Sequence, residues 1–201
     1  KYAHRDAERF VEYISSAAGG SVPKENITLL TNNQATISNI YVAKKAIEDK
    51  VKKDDLFYFF FSGHGDVESD LYKLGFLLAY DTPHKNYLNN AVRIEDINIM
   101  ANTLSVNKDV NVILISDACH AGKLTGSDNR RGISLADDQL EAVQKKEIRI
   151  ASCEPDQKSQ EDETWGGGRG VFSYHLINGM KGLADGGDQD GIVTLQELKT
   201  Y

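Results

Sequence analysis

The segment Leu56-Phe57-Tyr58-Phe59-Phe60-Phe61 places six apolar side chains in succession. In an extended chain, successive side chains point to opposite faces, so this strand offers water neither face. Such a strand belongs at the centre of a parallel sheet covered by helices on both sides. Val110-Asn111-Val112-Ile113-Leu114-Ile115 has the same character, and Ile148-Arg149-Ile150-Ala151 reads as a third strand. Ile27-Thr28-Leu29-Leu30 and Ile192-Val193-Thr194 read as two shorter ones. Helical spacing separates these runs. Ala7, Phe10, Val11, Ile14 and Ala17 share one helical face that ends at Gly19-Gly20. Thr36 is placed to cap a helix with Ile40, Ala43, Ile47 and Val51 on its apolar side. Further helices are expected over about 94–104 and 135–145, and one opening at Gly170 with Phe172, Leu176, Ile177 and Met180. Loops fall at 82–90, 123–134 and 154–168. Strands alternating with helices predict an α/β fold with a mostly parallel central sheet flanked by helices.

In such sheets, sites lie beyond the carboxyl ends of the strands. Two strand ends here carry reactive groups: Ser62-Gly63-His64-Gly65 and Ser116-Asp117-Ala118-Cys119-His120-Ala121-Gly122. Alone, His64 fits a structural histidine, and Cys119 fits a buried, inert thiol. Together they form a nucleophile and its acid–base partner on one rim. A thiol attacks as thiolate, and an adjacent imidazole both lowers its pKa and protonates the leaving amine. The backbone N–H groups of Gly65 and Cys119 are candidates to hold the oxyanion. Gly63, Gly65, Ala118, Ala121 and Gly122 leave room for a peptide backbone.

The chain has 201 residues, which fits a single domain over 1–201 with a core that needs no disulfides. Its net charge is −7, which disfavours nucleic acid as a partner. No apolar run approaches the roughly 20 residues of a membrane-spanning helix. The cysteines are Cys119 and Cys153 only, so no disulfide framework is expected and a reducing, cytoplasmic setting is favoured.

Ser-Gly-His-Gly after an apolar strand, followed 55 residues after the histidine by the cysteine of Asp-Ala-Cys-His-Ala-Gly, resembles the caspase-like cysteine peptidases. Caspases proper carry Gln two residues before the cysteine. Asp117 at that position, with His120 after the cysteine, is similar to metacaspases and bacterial caspase-like proteins. The resemblance extends through Ala151-Ser152-Cys153, Gln157, Ser159 and Glu161, then Gly170–Tyr174, to Asp190–Thr194 and Glu197-Leu198. Tyr2-Ala3 and Asp6-Ala7 match the segment after the family's first strand. That strand would precede Tyr2, so the natural polypeptide is expected to extend N-terminally, and a fused or associated regulatory domain is compatible with it.

The resemblance implies a three-layer caspase-like sandwich and cleavage after Arg or Lys through a Cys119 thioester. Protein or peptide substrates with basic residues are the partners implied. A pocket for a guanidinium or ammonium needs carboxylates. Family matching assigns it to Asp117, Asp6, Ser62 and Ser152, with Asp6 also readable as a helix-start acid. Self-cleavage is implied within 123–134, where Arg130 and Arg131 stand, with Lys145-Lys146 as a second candidate. No cofactor is required. Calcium is a candidate through Asp188, Asp190 and Glu197, which match positions 3, 5 and 12 of an EF-hand loop with Gly191 at position 6. Position 1 falls on Gly186, which has no ligand side chain. Glu95, Asp96 and Asp70 are further acidic candidates. No Cys/His cluster suits zinc, and Trp165 reads equally as a substrate contact or a packing residue. Two other classes fit parts of the sequence: an inactive caspase-like adaptor that keeps the dyad unused, and a calcium-binding module built on 188–197.

Overall fold

In this computed structural model, residues 1–68, 74–118, 146–152 and 160–201 are described. The chain forms two units, Lys1–Thr31 with Ser159–Tyr201, and Asn32–Lys158.

The larger unit contains helix α2, Ile37–Lys50. Thr36 caps it as expected, its hydroxyl accepting the Asn39 N–H at 3.2 Å. Strand β1, Leu56–Ser62, follows and pairs in parallel with Asn111–Asp117. Between them the chain forms an antiparallel sheet of β2 (His64–Glu68), β3 (Leu74–Leu78) and β4 (Val92–Arg93). Helix α3, Ile94–Asn102, continues into a π turn over Thr103–Asn107. Asn111–Asp117 is then β5, and β6, Glu147–Ala151, lies parallel on its other side, giving the order β1-β5-β6.

Alternation divides the residues of β1 and β5 between two faces. Phe57, Phe59, Val112 and Leu114 join a core with Ile94, Ile97, Met100 and Leu104, against which Ile40 and Ile47 of α2 also pack. The other face carries Tyr58, Phe60, Ile113 and Ile115, then Ser62 and Asp117 at its carboxyl end.

The smaller unit holds α1, Ala3–Ser15, which starts four residues before the expected apolar face and ends before Gly20, at φ +95°. Short strands β7 (Glu161–Asp162) and β8 (Arg169–Gly170) pair antiparallel. Gly170 opens α4, Val171–Asn178, as its sequence predicts. Helix α5, Leu195–Thr200, closes the chain.

Three expectations need correction. Ile27 is extended (φ −111°, ψ 126°), but among the described residues Ile27–Leu30 joins no ladder. β propensity supplies the backbone conformation; only a partner makes it a strand. Ile192–Thr194 is not a strand either, because Thr194 is spent as the N-cap of α5, in a capping box with Glu197. Finally, among the described strands β1 pairs with β5 alone, and of its residues only Phe57 is buried. The β2–β3–β4 sheet was missed because His64–Glu68 lacks an apolar alternation. The helix expected over 135–145 and the loop over 123–134 lie outside the described residues.

Leu114 is wholly buried midway along β5. Leu114→Ala removes both transfer energy and packing, and should destabilise the protein by about 3 kcal/mol, read as a lower urea midpoint with an unchanged slope.

Candidate active site

The register of β1 on β5 builds the site. Ser62 is the partner of Asp117, so both project from the same face at the carboxyl ends of their strands. The contact runs one residue further, the Gly63 N–H donating to the Asp117 carbonyl at 3.0 Å. A Cβ at 63 would lie 2.9 Å from the tip of the Phe61 ring, which would have to shift to admit it.

His64 is the next residue. It is exposed, and it opens β2 opposite Leu78, with Gly65 opposite Leu77. Asp117 is buried, 4% exposed, and Ala118 is fully buried. Ser152 joins the same rim: its N–H donates to the Ser116 carbonyl at 2.9 Å, and its hydroxyl to the Ala118 carbonyl at 3.4 Å. Ser62, His64, Gly65, Asp117 and Ser152, proposed from sequence, thus all belong to one end of the larger unit's sheet and its adjoining hairpin. Cys119, Arg130, Arg131 and Asp70 lie outside the described residues.

Asp6 belongs to the smaller unit and has a different environment. It is 1% exposed in the first turn of α1. Its Oδ1 accepts from Arg169 Nε at 2.5 Å, and its Oδ2 from the Gly170 N–H at 3.0 Å. Both oxygens therefore join α1 to β8 and to the start of α4. Sequence reasoning missed Arg169; an arginine directly after Gly166-Gly167-Gly168 was the available signal. Gly168 sits at φ +110°, and a Cβ there would stand 2.5 Å from the Tyr2 ring, so this approach needs glycine. Trp165, left open by the sequence, packs on His175 and Tyr174, with ring centroids 5.0 and 5.7 Å away.

Of the acidic candidates, Asp96 accepts a 2.5 Å hydrogen bond from the Tyr41 hydroxyl. Burial first, and this carboxylate second, push the Tyr41 phenol up to about 12. Asp188 and Glu197 do come together, but with Asp185 rather than Asp190. Thr194 holds the Glu197 carboxyl below its ordinary range, its N–H and hydroxyl each donating at 2.8 Å.

Residues 1–198 match the family model described as Caspase domain. A solved protein structure from Geobacter sulfurreducens shares the fold at 20% identity and a TM-score of 0.58, covering 89% of this chain and 72% of that one. No curated protein matches the chain. The α/β architecture and central parallel sheet agree with the family expected from the two strand-end motifs.

Removing one partner of a buried ion pair strands the other charge. Asp6→Ala should therefore destabilise the protein by about 3–5 kcal/mol, measured by denaturant unfolding.

Proposed function

The chain belongs to the caspase-domain family of cysteine peptidases, and from that premise we propose that it is an endopeptidase cutting after Arg or Lys through Cys119 and His64. The observation that carries this reading is the pairing of Ser62 with Asp117, each two residues before a member of the dyad. In the proposed reaction, Cys119 Sγ attacks the scissile carbonyl carbon as thiolate. The N–H groups of Gly65 and Cys119 receive the oxyanion. His64, protonated, gives its proton to the departing amine as the C–N bond breaks, leaving a thioester on Cys119. Water then attacks the thioester carbonyl with His64 taking its proton, the C–S bond breaks, and the acid product leaves Cys119 as thiolate beside protonated His64 again.

The preference for a basic residue rests on Asp117. A buried carboxylate beside the nucleophile favours a guanidinium or ammonium and disfavours an acidic side chain. Ser62 and Ser152 are assigned as polar neighbours of the same pocket. Asp6, with both oxygens engaged by Arg169 and Gly170, is assigned to stability rather than to substrate. The same specificity would direct self-cleavage at Arg130 or Arg131. Exposed loop tips with small and polar residues are favoured cleavage sites, and a loop over 123–134 is the expectation from sequence.

A fluorogenic peptide panel with Arg, Lys or Asp before the scissile bond tests the proposal. Arg and Lys peptides should be cleaved and the Asp peptide spared. Cys119→Ala and His64→Ala should each lower kcat/KM by at least about a thousandfold. Asp117→Asn should cost about ten- to a hundredfold on basic peptides, the worth of a hydrogen bond to a charged group. Cleavage after Asp alone would overturn the specificity. No turnover of any peptide by the wild-type protein, with or without calcium, would favour the adaptor reading instead. Fragment masses on incubation should place any self-cleavage after Arg130 or Arg131 and show none in Cys119→Ala.

A further inference from the structure

Alternation along β2 puts His64, Asp66 and Glu68 on one face of the hairpin, beside Leu78, Phe76 and Leu74 of β3. A 3₁₀ turn, Tyr87–Asn89, lies against that face. The Tyr87 ring packs on Phe76 with centroids 6.0 Å apart, and both are buried together with Ala91. Leu78, the ladder partner of His64, packs against the same cluster. Polar contacts fix the turn to β2 and to β4. The Tyr87 hydroxyl donates to Asp66 Oδ2 at 3.0 Å. The Leu88 N–H donates to Glu68 Oε2 at 2.7 Å. The Leu88 carbonyl accepts from Arg93 Nη2 at 3.0 Å.

Asp and Glu are poor strand formers, so β2 owes its place to partners rather than to propensity. Both carboxylates on the His64 face are spent on the turn. His64 itself is exposed and stands between Gly63 and Gly65, which leave its backbone permissive. Its position therefore follows from where β2 lies, and Asp66 and Glu68 hold β2 on this face. We propose, on the reading of His64 as the acid–base partner of Cys119, that Tyr87 is a positioning residue for His64. Its hydroxyl, through Asp66, holds β2 so that the imidazole stays in line to pass its proton to the leaving amine. Proton transfer needs a heavy-atom reach of about 2.6–3.2 Å, so a displacement of about 1 Å lowers the rate steeply and leaves substrate binding intact.

Kinetics of the whole chain on an Arg peptide test this, with the His64 ring resonances in NMR as a second readout. Tyr87→Phe keeps the ring on Phe76 and removes only the hydroxyl. It should lower kcat about tenfold with KM within about twofold of wild type. Asp66→Ala should do the same, and Asp66→Asn, which keeps an oxygen for Tyr87, should recover most of the loss. Tyr87→Phe combined with Asp66→Ala should stay within about twofold of either alone, because both remove one interaction. The His64 ring signals should shift in Tyr87→Phe and stay in place in Tyr80→Phe, a control on an exposed side chain. Glu68→Ala, which removes the acceptor of the Leu88 N–H, decides the matter if Tyr87→Phe does not fold. An unchanged kcat in folded Tyr87→Phe, or a raised KM with kcat kept, would overturn the proposal. If the wild type turns over no peptide, the peptidase reading falls, and the ring signals still decide whether Tyr87 holds His64. Signals unmoved in Tyr87→Phe would overturn that as well.

Discussion

The parallel pairing of β1 with β5 fixes the rest of the site. A one-residue slip would turn every side chain of one strand to the opposite face. Phe57 and Phe59 would then leave the core they share with Val112 and Leu114, and Ser62 would no longer share a face with Asp117. Core packing and site geometry are therefore set by the same register. The apolar residues that make β1 and β5 insoluble outside a sheet are what aligns the two polar turns at their ends.

A different interaction organises the smaller unit. There the Asp6–Arg169 pair, with the Gly170 N–H, joins the first helix to the last third of the chain. Around it, Phe10, Tyr13 and Ile14 of α1 and Leu176 and Ile177 of α4 are buried. A buried pair is seldom a large net source of stability, since desolvation offsets much of its attraction. Its effect here is directional: only one placement of α1 against β8 satisfies both carboxylate oxygens.

Much of this was legible in the residues. Apolar runs gave β1, β5 and β6, helical spacing gave α1 to α4, and Thr36 announced the start of α2. The family followed from Ser-Gly-His-Gly and Asp-Ala-Cys-His at strand ends, because chemistry placed there has few structural duties to confuse it with. What could not be read depends on partners. Ile27–Leu30 has strand residues, but pairing is a property of two segments. Asp6 reads alike as a pocket carboxylate or a helix-start acid until Arg169, 163 residues away, is brought to it. Asp185 escaped because an EF-hand template counts residues along the loop, whereas the loop presents carboxylates in space. The β2–β3–β4 sheet escaped because its first strand, His64–Glu68, is polar.

The separation between Asp6 and Arg169 also has a meaning in time. On a ribosome, α1 emerges before Arg169 and α4, which follow only after the whole of the larger unit has been made. At about 5–20 residues per second, the wait is on the order of 10 s. During it, Phe10, Tyr13 and Ile14 have no α4 to cover them, and Asp6 stays in water as an ordinary hydrated acid. The contact that buries Asp6 can therefore form only when Arg169 has been synthesised.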